Sequence, residues 1–265
     1  MQYPGRIIKL GETDAKIVAA LKKQLNAALA IANQPDLKLD PANPSFGPTT
    51  KQAVMLFQSR HVDNNGNPLK ADGQVGALTW EALFGQDSIS TSNTAGDHFL
   101  ARVLAVAGGE ADKKVREQPV NSNRGPEVDV YLKTAGVPTG LAWCVAFVYY
   151  CFNKAAQDAG RPNPMVKTAG VLDHWNRCAK EKGARRITKA EAMANPGLVQ
   201  PGMVFVMDHG GGLGHSGLVE RVAGGIIHTI EGNTDASKTR EGGGVYRLSR
   251  KIVDINKGFV DYTGR

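Results

Sequence analysis

Cysteine is scarce in this chain, with three residues (Cys144, Cys151 and Cys178) among 265. An odd number cannot pair completely, and no C-x-x-C pair occurs. Neither a disulfide framework nor a cysteine-built zinc site is expected. Aromatic residues reach only 6%, and the basic residues are scattered, the densest run being KEKGARR at 180–186. A stacking surface for bases is missing, so no nucleic-acid partner is expected. No stretch approaches the ~20 consecutive apolar residues that cross a bilayer, so no membrane partner is expected. The N-terminus, MQYPGRIIKLGETD, has no apolar core of a cleaved signal. The expectation is synthesis in the cytoplasm without a signal peptide, with any work outside depending on another delivery route.

What is present describes an ordinary globular chain, with 42% hydrophobic and 22% charged residues. Thirty-two Lys and Arg against 25 Asp and Glu give a net charge of +7, which favours anionic partners over long range. At roughly 100–200 residues per domain, the length allows one large domain or two modest ones.

The first 86 residues read as short helices between turn-rich loops. Ile17, Leu21, Leu25 and Leu29 recur every fourth position and make one helical stripe, with Thr13 or Asp14 to cap its start. Pro35, Pro41 and Pro44 forbid its continuation. A weak repeat follows: Gly47, Thr50, Ala53 and Val54 return 29 residues later as Gly76, Thr79, Ala82 and Leu83. Each copy predicts a glycine turn leading into a helix that the threonine helps start and whose small and apolar residues are buried. The pattern alone is equally served by a small three-helix unit with no ligand.

The segments LKKQLNAAL, FGPTTKQAVMLFQ and ADGQVGALTWEALFG resemble the bacterial peptidoglycan-binding domain of the three-helix type, over about residues 10–85. The resemblance implies a three-helix bundle with peptidoglycan as partner and a groove near the second G-x-x-T helix. The stretches from Gln34 to Ser45 and HVDNNGNPLKADG are longer than a minimal domain of this kind. GQDSISTSNTAGD, at 85–97, has no apolar period and reads as a linker. The expected divisions are 1–86, a linker at 87–97, and 98–265. In the last part, helical patterns give way after Pro201 to alternating runs, which predicts an α+β fold with an antiparallel sheet.

Within GVPTGLAWCVAFVYYCFNKAAQDAG, a largely buried helix is expected to begin near Cys144. Free backbone N–H groups and the positive end of the helix dipole favour a thiolate there and could also hold an oxyanion. The competing reading is that Cys144 is one more small buried side chain, as is expected of Cys151 and Cys178. Among the histidines, His61 falls in the first domain, and His98 and His174 read as ordinary polar or half-buried helix residues. His209 reads as a loop residue.

In PGMVFVMDHGGGLGHSGLVERVAGGIIHTIEGNTD, MVFVM, HSGLVERV and IIHTIEGN read as strands, GGGLG as a mobile loop and AGG as a hairpin turn. If Val222 pairs with Ile226 across a three-residue loop, Gly217 falls opposite Glu231 and His215 opposite Asn233. His215, Glu231 and Asn233 then share a face, while His228 meets Glu220 on the other. A two-residue turn would slip the register and break that alignment. Glu231 and Asn233 could equally be a polar strand end entering a turn. A metal site from Asp208, His209 and His215 fits no common spacing, and no metal is expected.

AWCVAFVYYCF, PGMVFV, GHSGLVERV and HTIEGNTD together resemble the CHAP family of cysteine, histidine-dependent amidohydrolases and peptidases, over about residues 98–260. The resemblance implies a papain-like α+β fold, Cys144 as nucleophile, His215 as base, Glu231 as its charged partner and Asn233 as a further hydrogen-bonding group. Two positions depart from the family pattern: Met203 stands for a frequent acidic residue and Ser216 for an apolar one. EADKK near Asp112 is too weak to claim the acidic calcium loop of some members, and the thiol chemistry needs no cofactor.

The implied function is hydrolysis of an amide bond in peptidoglycan, as a muramoyl-alanine amidase or an endopeptidase of the stem or cross-bridge. The setting would be a phage endolysin or an interbacterial effector delivered by a machine such as type VI secretion, with an immunity protein as partner. The alternatives are a non-catalytic wall-binding or phage structural component, or an acyltransferase on the same thioester. Two small domains on a flexible linker suit a monomer.

Overall fold

A computed structural model of the chain describes residues 1–30, 37–63, 66–89, 91–238 and 242–265. Parts of the two long stretches anticipated in the first domain (34–36 and 64–65), and Ser90 in the expected linker, lie outside that set. The chain divides into two compact units, Met1–Ser90 and Thr91–Arg265.

The first unit holds α1 (Ala15–Ala28), α2 (Pro48–Arg60) and α3 (Ala77–Phe84). Asp14 caps α1 by accepting from the amides of Lys16 and Ile17, and the stripe of Ile17, Leu21 and Leu25 is buried. The 29-residue repeat is a repeat of backbone as well as sequence. Gly47 and Gly76 are the N-caps of α2 and α3, with φ of −90° at both and ψ of −174° and −173°. Neither glycine offers a side-chain cap, and the threonines do not supply one, contrary to expectation. Thr50 and Thr79 are buried instead, and Thr79 accepts from the Gln58 amide at 3.2 Å. Ala53, Val54, Phe57, Trp80 and Leu83 enter one core with the α1 stripe, while Ala82 is only partly buried. Each large side chain so buried contributes roughly 1.5–3 kcal/mol.

The second unit is α+β. Its helices are α4 (His98–Asp112), α5 (Pro126–Ala135), α6 (Cys144–Asp158), α7 (Val171–Lys182) and the short α8 (Lys189–Ala194). Its strands are β1 (Thr91–Ser92), β2 (Arg185–Thr188), β3 (Val204–Gly210), β4 (Leu213–Ala223), β5 (Ile226–Thr234), β6 (Gly244–Lys251) and β7 (Gly258–Asp261). They form one antiparallel sheet in the order β2-β7-β3-β4-β5-β6, with β1 on β4. Two residues of the segment read as linker are therefore strand, since Thr91 pairs with Ala223 and Ser92 with Val222. Asp97, the last residue of that segment, caps α4.

Strand alternation sorts residues to two cores. Val204, Val206, Leu218 and Ile230 join the core made with α4–α7. Phe205, Val219, Ile227 and Phe259 join a second core with Ile187 and Ala192. The glycine-rich run expected to be a mobile loop is a tight hairpin turn. Gly210 pairs with Leu213, and Gly210, Gly211 and Gly212 all take positive φ, which suits residues without a Cβ. His174 is fully buried rather than half-buried, and its Nε2 meets the Tyr262 hydroxyl at 2.8 Å. Burial holds that imidazole neutral, with a pKa near 4. Cys151 and Cys178 are core residues, as expected. Among the described residues, no helix is long and apolar enough to cross a membrane.

Candidate active site

The β4–β5 hairpin decides which side chains meet. Its turn has two residues, Gly224 and Gly225, both at positive φ, so Ala223 faces Ile226 and Val222 faces Ile227. This is the turn length that was expected to destroy the alignment. The register then shifts between Arg221 and Val219. The extra residue, Glu220, is a β-bulge, and beyond it Val219 faces Thr229 and Leu218 faces Ile230. That is the frame in which Gly217 lies opposite Glu231. The bulge also moves His228: it pairs with Arg221, not Glu220, and its Nδ1 meets the Ser249 hydroxyl at 3.0 Å.

Consequently His215 and Glu231 are in contact, with Nε2 to Oε2 at 2.7 Å and both side chains almost wholly buried. Gly217 supplies the room: a Cβ there would come within 2.8 Å of Glu231 Cγ and of the Phe205 ring. Glu231 has two further partners. Arg250 on β6 donates from Nε to Oε1 at 2.7 Å and from Nη2 to Oε2 at 2.6 Å. Thr229 donates its hydroxyl to Oε1 at 2.5 Å.

Burial alone would raise the Glu231 pKa, but Arg250 and His215 outweigh it and bring it down to about 2. Burial alone would likewise keep His215 neutral. The Cys144 thiol and Glu231 reverse that and lift the imidazole to about 9. Because Nε2–H is committed to the carboxylate, Nδ1 is the nitrogen left for the thiol. It is buried and closes no hydrogen bond of proper geometry. The thiol is thus near enough to favour the charged ring without being aligned on it.

Cys144 is the first residue of α6 and is 3% exposed. Trp143 stands at the N-cap and gives no side-chain cap, so first-turn amides are left for another acceptor. Beside the thiol is a cleft of about 430 Å³, lined by Leu141, Ala142, Gly170, Val171, Gly214 and Asn233. Asn233 adopts φ 58° and is 1% exposed. Neither its Oδ1 nor its Nδ2 has a partner. It is not paired with His215, because the β4–β5 ladder ends at Leu218 and Ile230.

The structure thus brings Cys144, His215 and Glu231 together and sets Asn233 on the same cleft. Arg250 escaped the sequence reading. The alternation of GVYRLSRK marks β6, but only the register of β6 on β5, with Ile227 facing Arg250, points that side chain toward Glu231. The departures in sequence are absorbed locally. Ser216 donates to the Phe205 carbonyl at 2.7 Å, and Met203 is buried in the second core. Asp208 is bound to Lys257 at 3.2 Å and to the Gly210 amide. No group of three or more metal-ligating side chains occurs among the described residues.

Two family models match the chain. Residues 136–233 match the CHAP domain, and residues 14–83 match a peptidoglycan-binding domain. No curated protein and no solved structure matches.

Proposed function

We propose, for a chain whose CHAP domain follows a peptidoglycan-binding domain and which is on that ground a peptidoglycan hydrolase of the cysteine type, a Cys-His-Glu mechanism that cleaves an amide bond of the wall. The observation that carries this reading is the buried contact between His215 and Glu231, with the Cys144 thiol acting on the same imidazole.

In this mechanism Cys144 gives its proton to His215 Nδ1, and Glu231 stabilises the imidazolium. The thiolate attacks the amide carbon, and the oxyanion is held by amides at the start of α6. As the C–N bond breaks, His215 returns the proton to the departing amine, leaving a thioester. The same imidazole then takes a proton from water, which hydrolyses the thioester and frees Cys144. Asn233, whose amide is unpartnered on the cleft, hydrogen-bonds the substrate. No step calls for a cofactor.

Residues 1–86 serve as the wall-binding domain and 98–265 as the catalytic domain. Holding the wall raises the local concentration of substrate at the cleft. The bond cut is the muramoyl–alanine amide or one in the stem peptide or cross-bridge. The biological setting is an endolysin or an effector passed between bacteria.

The test is the release of new amino groups from purified sacculi. Cys144→Ala should abolish release while sacculus binding persists. Undiminished cleavage by that variant rejects Cys144 as nucleophile.

A further inference from the structure

A second cavity in the C-terminal unit, of about 620 Å³, is lined by Arg116, Glu117, Asn121, Asn123, Asp235 and Tyr246, together with the Gly242–Gly243 backbone. Glu117 is 3% exposed. Its Oε1 accepts from the indole Nε1 of Trp143 at 2.8 Å, but its Oε2 is buried and accepts from nothing. An acceptor buried without a donor is costly, so an oxygen left this way in a cavity wall signals a missing partner.

The neighbouring cation does not supply that partner. Arg116 lies 4.0 Å over the Tyr246 ring and donates to the carbonyls of Val115 and Val245. Space beside the carboxylate is kept by Gly243, where a Cβ would stand 3.3 Å from Oε2. Among the described residues, one cation and two carboxylates line the cavity. Its walls are tied to the catalytic elements: Trp143 directly precedes Cys144, and Asp235 lies two residues beyond Asn233.

We propose that this cavity is a subsite for a primary ammonium group, carried on the side chain of a stem-peptide or cross-bridge residue, with Glu117 as its anionic acceptor. An ammonium offers three donors, one for Oε2 and others for the Asn121 and Asn123 side-chain carbonyls. This inference rests on the peptidoglycan reading, and it names the substrate feature that the site selects.

The experiment uses the full chain carrying Cys144→Ala, so that nothing is turned over. Two probes are titrated by calorimetry: a soluble stem-type peptide with one free side-chain ε-amine, and the same peptide acetylated at that amine. The free amine should bind about tenfold tighter or more, as expected for a charge-assisted hydrogen bond. Adding Glu117→Gln should erase the difference, which assigns the discrimination to this cavity and not to the wall-binding unit. Equal binding of the two peptides, binding of neither, or an equal loss for both on Glu117→Gln overturns the subsite.

If Glu117→Gln does not fold, Gly243→Ala is the second variant, since its methyl fills the space beside Oε2. Discrimination retained in that variant also overturns the proposal. Hydrolysis of sacculi by the unaltered chain is read separately. Amine discrimination without hydrolysis would sink the proposed activity and leave the subsite standing, and hydrolysis without discrimination would do the reverse.

Discussion

Arg250→Met tests whether the carboxylate behind His215 depends on its guanidinium clamp. The Arg250 side chain is 10% exposed and that of Glu231 is 0% exposed, so the pair is removed from water. A carboxyl pKa brought from 4.5 to about 2 corresponds to roughly 3 kcal/mol in favour of the charged form, shared between Arg250 and His215 against burial. Removing one partner of a buried pair strands the other and costs roughly 3–5 kcal/mol. Because His215 remains beside Glu231, the lower end of that range, about 3 kcal/mol near neutral pH, is expected. For a unit of this size that is a fall of roughly 6–12 °C in Tm.

The sign with pH is fixed as well. Glu231 has a depressed folded pKa, so its stabilisation is present above about 4.5 and is lost as pH falls toward 2. The cost of Arg250→Met must therefore shrink as the pH is lowered through that window. Calorimetric melts of both proteins between pH 3 and 7, with sacculus cleavage followed in parallel, give the comparison. A Tm within 2 °C of the parent at pH 7, or a deficit that does not shrink in acid, refutes the reasoning. Arg250→Lys should rescue little, because an ammonium cannot occupy both carboxylate oxygens as the fork does.

Cleavage should hold up to about pH 9 and fall above it, as the His215 imidazolium loses its proton. The matching stabilisation is full below about 6.5 and fades as pH rises to 9. Glu231→Gln should draw that alkaline limb down by roughly one pH unit or more, and a limb that stays near 9 counts against Glu231 as the partner. Gly217→Ala should lower cleavage at least tenfold and cost about 1–3 kcal/mol, because the new methyl meets Glu231, Phe205 and the Ile230 carbonyl within 2.9 Å. Normal cleavage by Gly217→Ala would mean that the His215–Glu231 contact does not need the room this glycine leaves.

The helices were legible where periodicity and caps coincide. The α1 stripe behind Asp14, and α6 opening on Cys144, follow from the spacing of apolar residues and from a loop rich in proline and glycine. The 29-residue repeat located α2 and α3, but not how they begin. The backbone at Gly47 and Gly76 opens the helices, and the threonines turn inward instead of capping, Thr79 accepting from Gln58. Thr91 and Ser92 read as linker because a polar two-residue strand at a sheet edge has no periodicity to show. Arg250 was beyond reach for a different reason. Its meaning lies entirely in a pairing between strands some twenty residues apart, and a basic residue in a polar-looking strand carries no local sign that a buried carboxylate awaits it.

The β4–β5 hairpin brings His215 and Glu231 onto one face by a route other than the three-residue turn that the spacing suggests. Side chains change face with every step along a strand, so an error of one residue in the loop would have set His215 and Glu231 on opposite faces. The glycine pair at 224 and 225 makes the tighter turn, and the bulge at Glu220 inserts the one residue that restores the phase. Turn and bulge are therefore a matched pair: a deletion at the bulge, or an insertion at the turn, should separate the imidazole from its carboxylate while leaving Cys144, His215 and Glu231 in the sequence. Glu220 itself is not idle. It is held by Arg247 at 3.0 Å, and Arg247 in turn reaches Asp112 on α4, so the bulged residue is anchored from outside the hairpin. The register that joins His215 to Glu231 is set by two features outside that contact, and neither is visible in a motif made of Cys144, His215 and Glu231 alone.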